Sequence, residues 1–341
     1  MGRSRYVMLE TLRAYGAGLL ARAGEQDGAA AALAGYALRV AEQAAAGLQT
    51  STGEVAAARL LDAEDATMRQ VLAWAMEHDA AIALQLAVAL ALWWLLRGLV
   101  GQYQLLRAAA GRALPGSDGW CAAQYWLGIA AVCFDTAAAL GHYTAVCDTA
   151  QDRPPSQALA DCLSGRSATL SNLGRLAEAA DDGRRSLALA RELGYPAGEA
   201  MALAGLSIAA LYADDFDSAV RLARQAEQIP GGCPGWIARL VHGIFADALI
   251  EAGDLAAAEG ACAAGLARSR DAGDLLIQAH LLTQMAILDE QAGRTGDAAA
   301  HLREALQINV RAGDGFELLN DLDCCGYLCA ATRRCAEAVT V

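Results

Sequence analysis

Proline is scarce in this chain. Its six residues in 341, Pro115, Pro154, Pro155, Pro196, Pro230 and Pro234, each lie in a Gly-, Asp- or Ser-containing stretch and never inside an apolar run. A helix-breaking residue is thereby confined to punctuation between helices. Aromatic residues are also few, 6% of the chain against a hydrophobic total of 55%. The difference is mostly alanine, the best helix former and the smallest core residue, so the composition specifies closely packed helices. Period-two alternation, the signature of half-buried strands, is missing apart from a possible short strand over residues 5–9. Basic residues run short as well, 26 against 39 acidic for a formal net charge of −13. Such a surface repels phosphate backbones and anionic lipid, which excludes direct nucleic-acid binding by this chain.

The motifs of common chemistries are missing too. There is no GxxxxGK[ST] loop, HExxH, GxSxG or Gly-rich dinucleotide turn. His78, His142, His242, His280 and His301 never pair at metal-ligand spacing, and the ten cysteines show no repeated CxxC. Several cysteines, Cys121, Cys133 and Cys262 among them, replace alanine or leucine in helical patterns, as reduced thiols of a cytoplasmic protein would. No catalytic residue, metal or cofactor is expected. Residues 1–15 carry four charges and no apolar core, so they do not form a signal peptide. The longest apolar run, 80–96, is 17 residues of mostly alanine and leucine, interrupted by Gln85. It predicts a buried helix rather than a membrane span.

What the sequence does contain is a repeat. Helix-turn-helix strings recur as LSNLGRLAEAADD from Leu170, LYADDFDSAV from Leu211, LIEAGDLAAAEGAC from Leu249, LDEQAGRTGDAAAHL from Leu288 and LCAATRRCAEAV from Leu328. Aligned on the turn, Gly174, Asp214, Gly253, Gly293 and Arg333 are spaced by 40, 39, 40 and 40 residues. So regular a period means stacked supersecondary units. Five residues past the turn stand Ala179, Ala219, Ala258, Ala298 and Ala338, and seven before it Ser167, Ser207, Ala246, Ala286 and Gly326. Small residues in both columns let the two helices of a hairpin approach closely, the spacing of a tetratricopeptide repeat. Leu176, Phe216 and Leu255, two residues past the turn, are expected to plug each hairpin. Stop signals at Gly194-Tyr195-Pro196, 230–235, Ala272-Gly273-Asp274 and Ala312-Gly313-Asp314 separate the units. The predicted fold is an all-α, right-handed superhelical solenoid. Upstream, Gly98 and Gly141 suggest the turns of two irregular hairpins, with Trp93, Trp94, Tyr103, Trp120, Tyr125 and Trp126 forming their core.

Repeats near 40 residues resemble the helical sensor region of MalT-like regulators. The segment RYVMLETLRAYGAGLLARAGE (5–25) is similar to the end of the winged-helix part of the NTPase module in actinobacterial LuxR-type signal-transduction ATPase regulators. LLDAEDATMRQVLAWAMEHD (60–79) and LALWWLLRGLVGQYQLLRAA (90–109) follow in that family's order. The resemblance implies three parts: a winged-helix-like remnant over 1–25, capping hairpins over 26–158, and regular repeats over 159–341 with the last one cut short. It also implies an ATPase upstream and a DNA-binding helix-turn-helix downstream in a full-length relative, neither of which this sequence carries. The function expected is a non-catalytic sensor or scaffold that binds a protein or small-molecule effector. A freestanding adaptor is the alternative, and an enzyme built on the aromatic cluster of residues 93–126 a third reading.

A binding site on such an array belongs to its concave face, lined by the first helix of each hairpin. The candidates there are Ser164, Asn172, Tyr212, Asp247, Glu251, His280, Thr283, Glu290, Asp323 and Tyr327, with Ile208 and Ile287 between them. The set is neutral to acidic and lacks the basic cluster that clamps a carboxylate or phosphate. A partner with apolar and basic features suits it.

Overall fold

The computed structural model describes residues 10–132, 134–150, 154–229, 233–312 and 314–332, and every regular element among them is helical. Three helix pairs follow α1 (Glu10–Ala23): α2 (Gln26–Leu48) with α3 (Glu54–His78), α4 (Ala80–Leu96) with α5 (Tyr103–Ala110), and α6 (Asp118–Val132) with α7 (Thr136–Thr149). The regular units are α8 (Gln157–Asn172) with α9 (Leu176–Glu192), α10 (Pro196–Leu211) with α11 (Phe216–Glu227), α12 (Gly235–Glu251) with α13 (Leu255–Ala272), and α14 (Leu275–Gln291) with α15 (Thr295–Ala312). The first helix of a fifth unit is α16 (Gly315–Ala331). This is the all-α, tetratricopeptide-like solenoid expected.

The alignment columns explain how each hairpin closes. At the turns Gly174, Gly253 and Gly293 take φ of 71°, 78° and 73°, and Asp214, at 56°, is the sole non-glycine with positive φ among the described residues. The left-handed turn is therefore demanded even where glycine is replaced. A bond from three residues beyond the helix back to its last turn seals each corner, as in Arg175 N–H to Leu170 O at 2.9 Å and Asp254 N–H to Leu249 O at 2.9 Å. Ala179, Ala219, Ala258 and Ala298 are all fully buried, as are Ser167, Ser207 and Ala246. In the first two units the columns touch: Ser167 Oγ donates to Ala179 O at 2.7 Å and Ser207 Oγ to Ala219 O at 2.9 Å. Arg333 and Ala338 lie outside the described residues, as does the suggested strand over 5–9.

Two expectations need correction. Leu176, Phe216 and Leu255 do not plug the hairpins; each opens the second helix, where the first two are half-buried and Leu255 is 39% exposed. Gly141 sits inside α7 rather than at a turn, because its alanine-rich flanks carry the helix through, while Asp135 caps α7 by accepting from Ala138 N–H at 2.9 Å. Gly98 does turn the chain after α4, with φ 63°. Three helix pairs, not two, thus precede the regular units.

The apolar run 80–96 is α4 itself, with eleven of its residues buried, and no described helix is long and apolar enough to cross a membrane. Trp93, Trp94, Tyr103 and Trp126 are no more than 8% exposed. They form a packed core, with Trp94 edge-on to Tyr103 at 5.9 Å.

The even-numbered helices pack on one another in sequence along one layer. That layer is the inner one, since Trp126 of α6 meets Trp236 of α12 at 6.0 Å across two intervening hairpins. Curvature this tight brings the array back onto its own beginning. Arg239 of α12 donates from Nη1 to Glu54 Oε2 (2.9 Å), at the start of α3, and from Nε to Asp274 Oδ2 (2.8 Å), the N-cap of α14. All three are at most 4% exposed. Arg97, just past α4, pairs with Asp62 at 2.9 Å and donates to Gly273 O at 2.9 Å and Ala272 O at 3.2 Å, the end of α13. The 26 basic residues of the chain are all arginine, and both of these ties use the planar, multi-donor geometry that lysine lacks.

Candidate functional site

Four successive inner helices each contribute one polar residue to a single cluster. Tyr212 caps α10, Asp247 lies on α12, His280 on α14, and Glu317 in the first turn of α16. His280 stands at the centre. Its Nε2 is 3.1 and 3.2 Å from the two Asp247 oxygens, and its Nδ1 is 3.4 Å from Glu317 Oε1. An imidazole flanked on both nitrogens by carboxylates can satisfy both only as the doubly protonated cation. Burial pulls the His280 pKa down, but Asp247 and Glu317 outweigh it and hold it well above the usual imidazole value. Glu317 moves the other way: burial raises it, yet the hydrogen bond and charge of His280 leave it below the ordinary carboxylate value.

Tyr212 remains 49% exposed, and its hydroxyl is pushed up by burial and then by the charges of Asp247 and Glu317. The cluster therefore carries one imidazolium against two carboxylates, a net negative site open to solvent beside a tyrosine ring. Half-buried Ile208 and Ile287 lie on two of the same helices, α10 and α14. It holds no nucleophile with an adjacent base. Its chemistry is to accept hydrogen bonds and charge from a cationic group.

The structure thus brings Tyr212, Asp247 and His280 together and disperses the rest. Thr283 is fully buried, with its hydroxyl 2.5 Å from Asp321 Oδ1, and Ser164 is 2% exposed and donates to Met201 O at 2.8 Å. Neither can meet a partner; both hold inner helices to their neighbours. Asn172, Glu251 and Glu290 sit at the C-terminal ends of α8, α12 and α14, Glu251 exposed and the others half-buried. Asp323 and Tyr327 are exposed on α16, Tyr327 at 73%, but ten residues of helix, about 15 Å, separate Tyr327 from Glu317.

Glu317 escaped the sequence reading because it stands three residues after the helix cap Asp314, which accepts from its backbone N–H at 3.0 Å. That is the usual place of a capping-box carboxylate, so its side chain reads as serving the helix end rather than a neighbouring histidine. Asp161 on α8 was also missed. Its carboxylate accepts one long bond, 3.4 Å from Tyr195 OH, and burial pushes its pKa up to about 7. Among the described residues no group of three or more His, Cys, Asp or Glu is placed to hold a metal ion. Cys147, Cys162, Cys233, Cys262, Cys324, Cys325 and Cys329 are free thiols, and burial pushes those of Cys147 and Cys262 up to about 11 and about 12.

No family model and no curated protein matches the sequence. Among solved structures the chain is similar to a Rap protein complexed with competence and sporulation factor, at 12% identity and a TM-score of 0.56, over 87% of this chain and 88% of that one. It also matches a signal-transduction ATPase with numerous domains and a tetratricopeptide repeat sensor from Pyrococcus horikoshii. There the identity is 12% and the TM-score 0.46, over 81% of this chain and 42% of that one. The yeast Tom70 structure follows at 15% identity and a TM-score of 0.43, over 82% and 59%. At such identities the first of these establishes a common fold and nothing further.

Proposed function

We propose that this chain is the sensor region of a larger transcriptional regulator and that its inner face binds a protein or peptide partner through cationic and apolar groups. The observation that carries the reading is His280 held between Asp247 and Glu317 with Tyr212 beside it. Four separate hairpins converge there on a solvent-accessible, net negative site. Stability alone does not call for such a site, because solvated residues would serve an inner face equally well. Its acidic character agrees with the charge of −13 and selects a basic partner. The regulator context rests on the resemblance of segments 5–25, 60–79 and 90–109, with the division at residues 25 and 158 that it implies. The adjoining coding sequence should then encode a P-loop ATPase upstream or a helix-turn-helix downstream.

The site is tested with two sets of labelled peptides, one alternating arginine with leucine and isoleucine, the other carrying glutamate in place of arginine. Fluorescence polarisation should show saturable binding of the basic set only. Tyr212→Ala combined with Asp247→Asn should weaken it at least tenfold, whereas Glu259→Gln with Glu304→Gln, exposed acids of the outer helices, should leave it within twofold. If both sets bind alike, or if the outer and inner variants lose equally, binding is non-specific electrostatics and the site assignment fails.

A further inference from the structure

Two polar ties join the same pair of helices, α12 and α14. One is Arg239 with Asp274 at 2.8 Å, and the other is Asp247 with His280 at 3.1 Å. Along α12 the tie residues are eight positions apart, about 12 Å, and along α14 they are six apart, about 9 Å. Each tie continues to a third helix at the opposite ends of the chain. Arg239 reaches Glu54 at the start of α3, and His280 reaches Glu317 in α16.

A helix is stiff over two turns, so the placement of α12 against α14 sets both ties at once. A change of spacing at one must be taken up at the other. The Arg239 end has no slack to absorb it. Glu54 reaches Arg239 through the space above Gly235, where an added Cβ would lie 2.0 Å from Glu54 Oε2. The connector that leads into Asp274 is held from the other side by Arg97, on the carbonyls of Ala272 and Gly273. Apolar contacts slide and repack; three buried charges with fixed partners do not.

We infer that the inner-face cluster and the Arg239–Glu54–Asp274 clasp form one coupled device, in which engagement of Asp247 and His280 alters the grip of the repeat array on α3 and α4, and loosening of that grip alters the cluster. The inference deepens the proposed sensor reading by naming the route from the site to the N-terminal helices, the side on which the resemblance puts an ATPase. Coupling of this kind is reciprocal, so it can be measured from either end without any partner bound.

The test uses the full chain. Gly235→Ala perturbs the clasp without changing any charge, and Glu54→Gln perturbs it by removing one. In both, the titration midpoint of His280, followed by NMR and assigned through its loss in His280→Gln, should move by at least 0.3 pH units in 0.3 M salt. In the reverse direction, His280→Gln should speed amide hydrogen exchange at least fivefold in residues 54–58 and 272–276 while sparing α8 and α9. An unmoved His280 midpoint in both clasp variants overturns the coupling, and so does exchange confined to α14 and α16. Failure of the basic peptides to bind would overturn the partner reading alone, since the coupling is read in the free chain.

Discussion

Asp161→Asn should stabilise this protein above neutral pH and leave it nearly unchanged in acid. The carboxyl is half-buried against Tyr195 with no cation beside it among the described residues, and its pKa rises from 3.8 to about 7. The folded state thus holds a proton that the unfolded chain has released across that window, and stability falls as pH rises through it. The loss is complete above about pH 7. Roughly three units at about 1.4 kcal/mol each give a ceiling of about 4 kcal/mol, and water reaching the half-buried group brings the expected effect nearer 2. Asparagine keeps the shape and the acceptor for the Tyr195 hydroxyl but carries no charge at any pH. Urea midpoints of the two proteins at pH 3, 6 and 8 isolate this contribution, because every other titration cancels in the difference. The gap should be near zero at pH 3, below the unfolded value of 3.8, and should widen to its full size by pH 8. A constant gap would refute the reasoning, as it would show that Asp161 titrates alike in the folded and unfolded states.

Other expectations follow from the packing, the histidine and the shape. Ala258→Leu, which overfills a fully buried helix contact, should cost about 1–3 kcal/mol, whereas Glu259→Gln one residue on, paired only with exposed Arg294, should stay within about 0.5; equal melting temperatures would show the alignment column to be wrong. Because the His280 pKa is raised, its stabilising contribution is fully present below about pH 6.5 and is lost as pH climbs through the folded value. The stability gap between wild type and His280→Gln should accordingly narrow as pH rises above that range, and a gap that grows with pH would contradict the assigned imidazolium. The accessible surface of 16530 Å² exceeds the roughly 13000 Å² of a compact protein of this mass. Small-angle scattering should give a radius of gyration above about 20 Å, and a smaller value would rule out the superhelical array.

The regular half of the molecule was legible because a repeat tests itself. Ala179, Ala219, Ala258 and Ala298 occupy one structural position four times, so chance resemblance is averaged out. The first half offers no such replication, and there Gly141 looks like a turn although its neighbours propagate a helix through it. The candidate site was legible wherever a residue's own helix decides its exposure, as for Tyr212, Asp247 and His280. It was illegible where a neighbouring helix decides: Thr283 has the spacing of an inner-face residue, but Asp321 covers it. The clasp could not be read at all, because Glu54 and Arg239 are 185 positions apart and each alone looks like an ordinary helical charge.

That separation bears on how the chain folds. A helical-repeat array ordinarily assembles from neighbours, each hairpin adding its own increment, and it tolerates the loss of a terminal unit with a proportionate loss of stability. Here the connector at 272–274 meets residues 54 and 97 through Arg239 and Arg97. The step that seats those contacts closes a loop of some 180 residues and has to wait until the intervening hairpins are in place. Folding should then end in a slow, all-or-none closure rather than a gradual zipping. Removing the units beyond residue 234 should loosen helices near residue 60 that have no sequence neighbour among the residues lost.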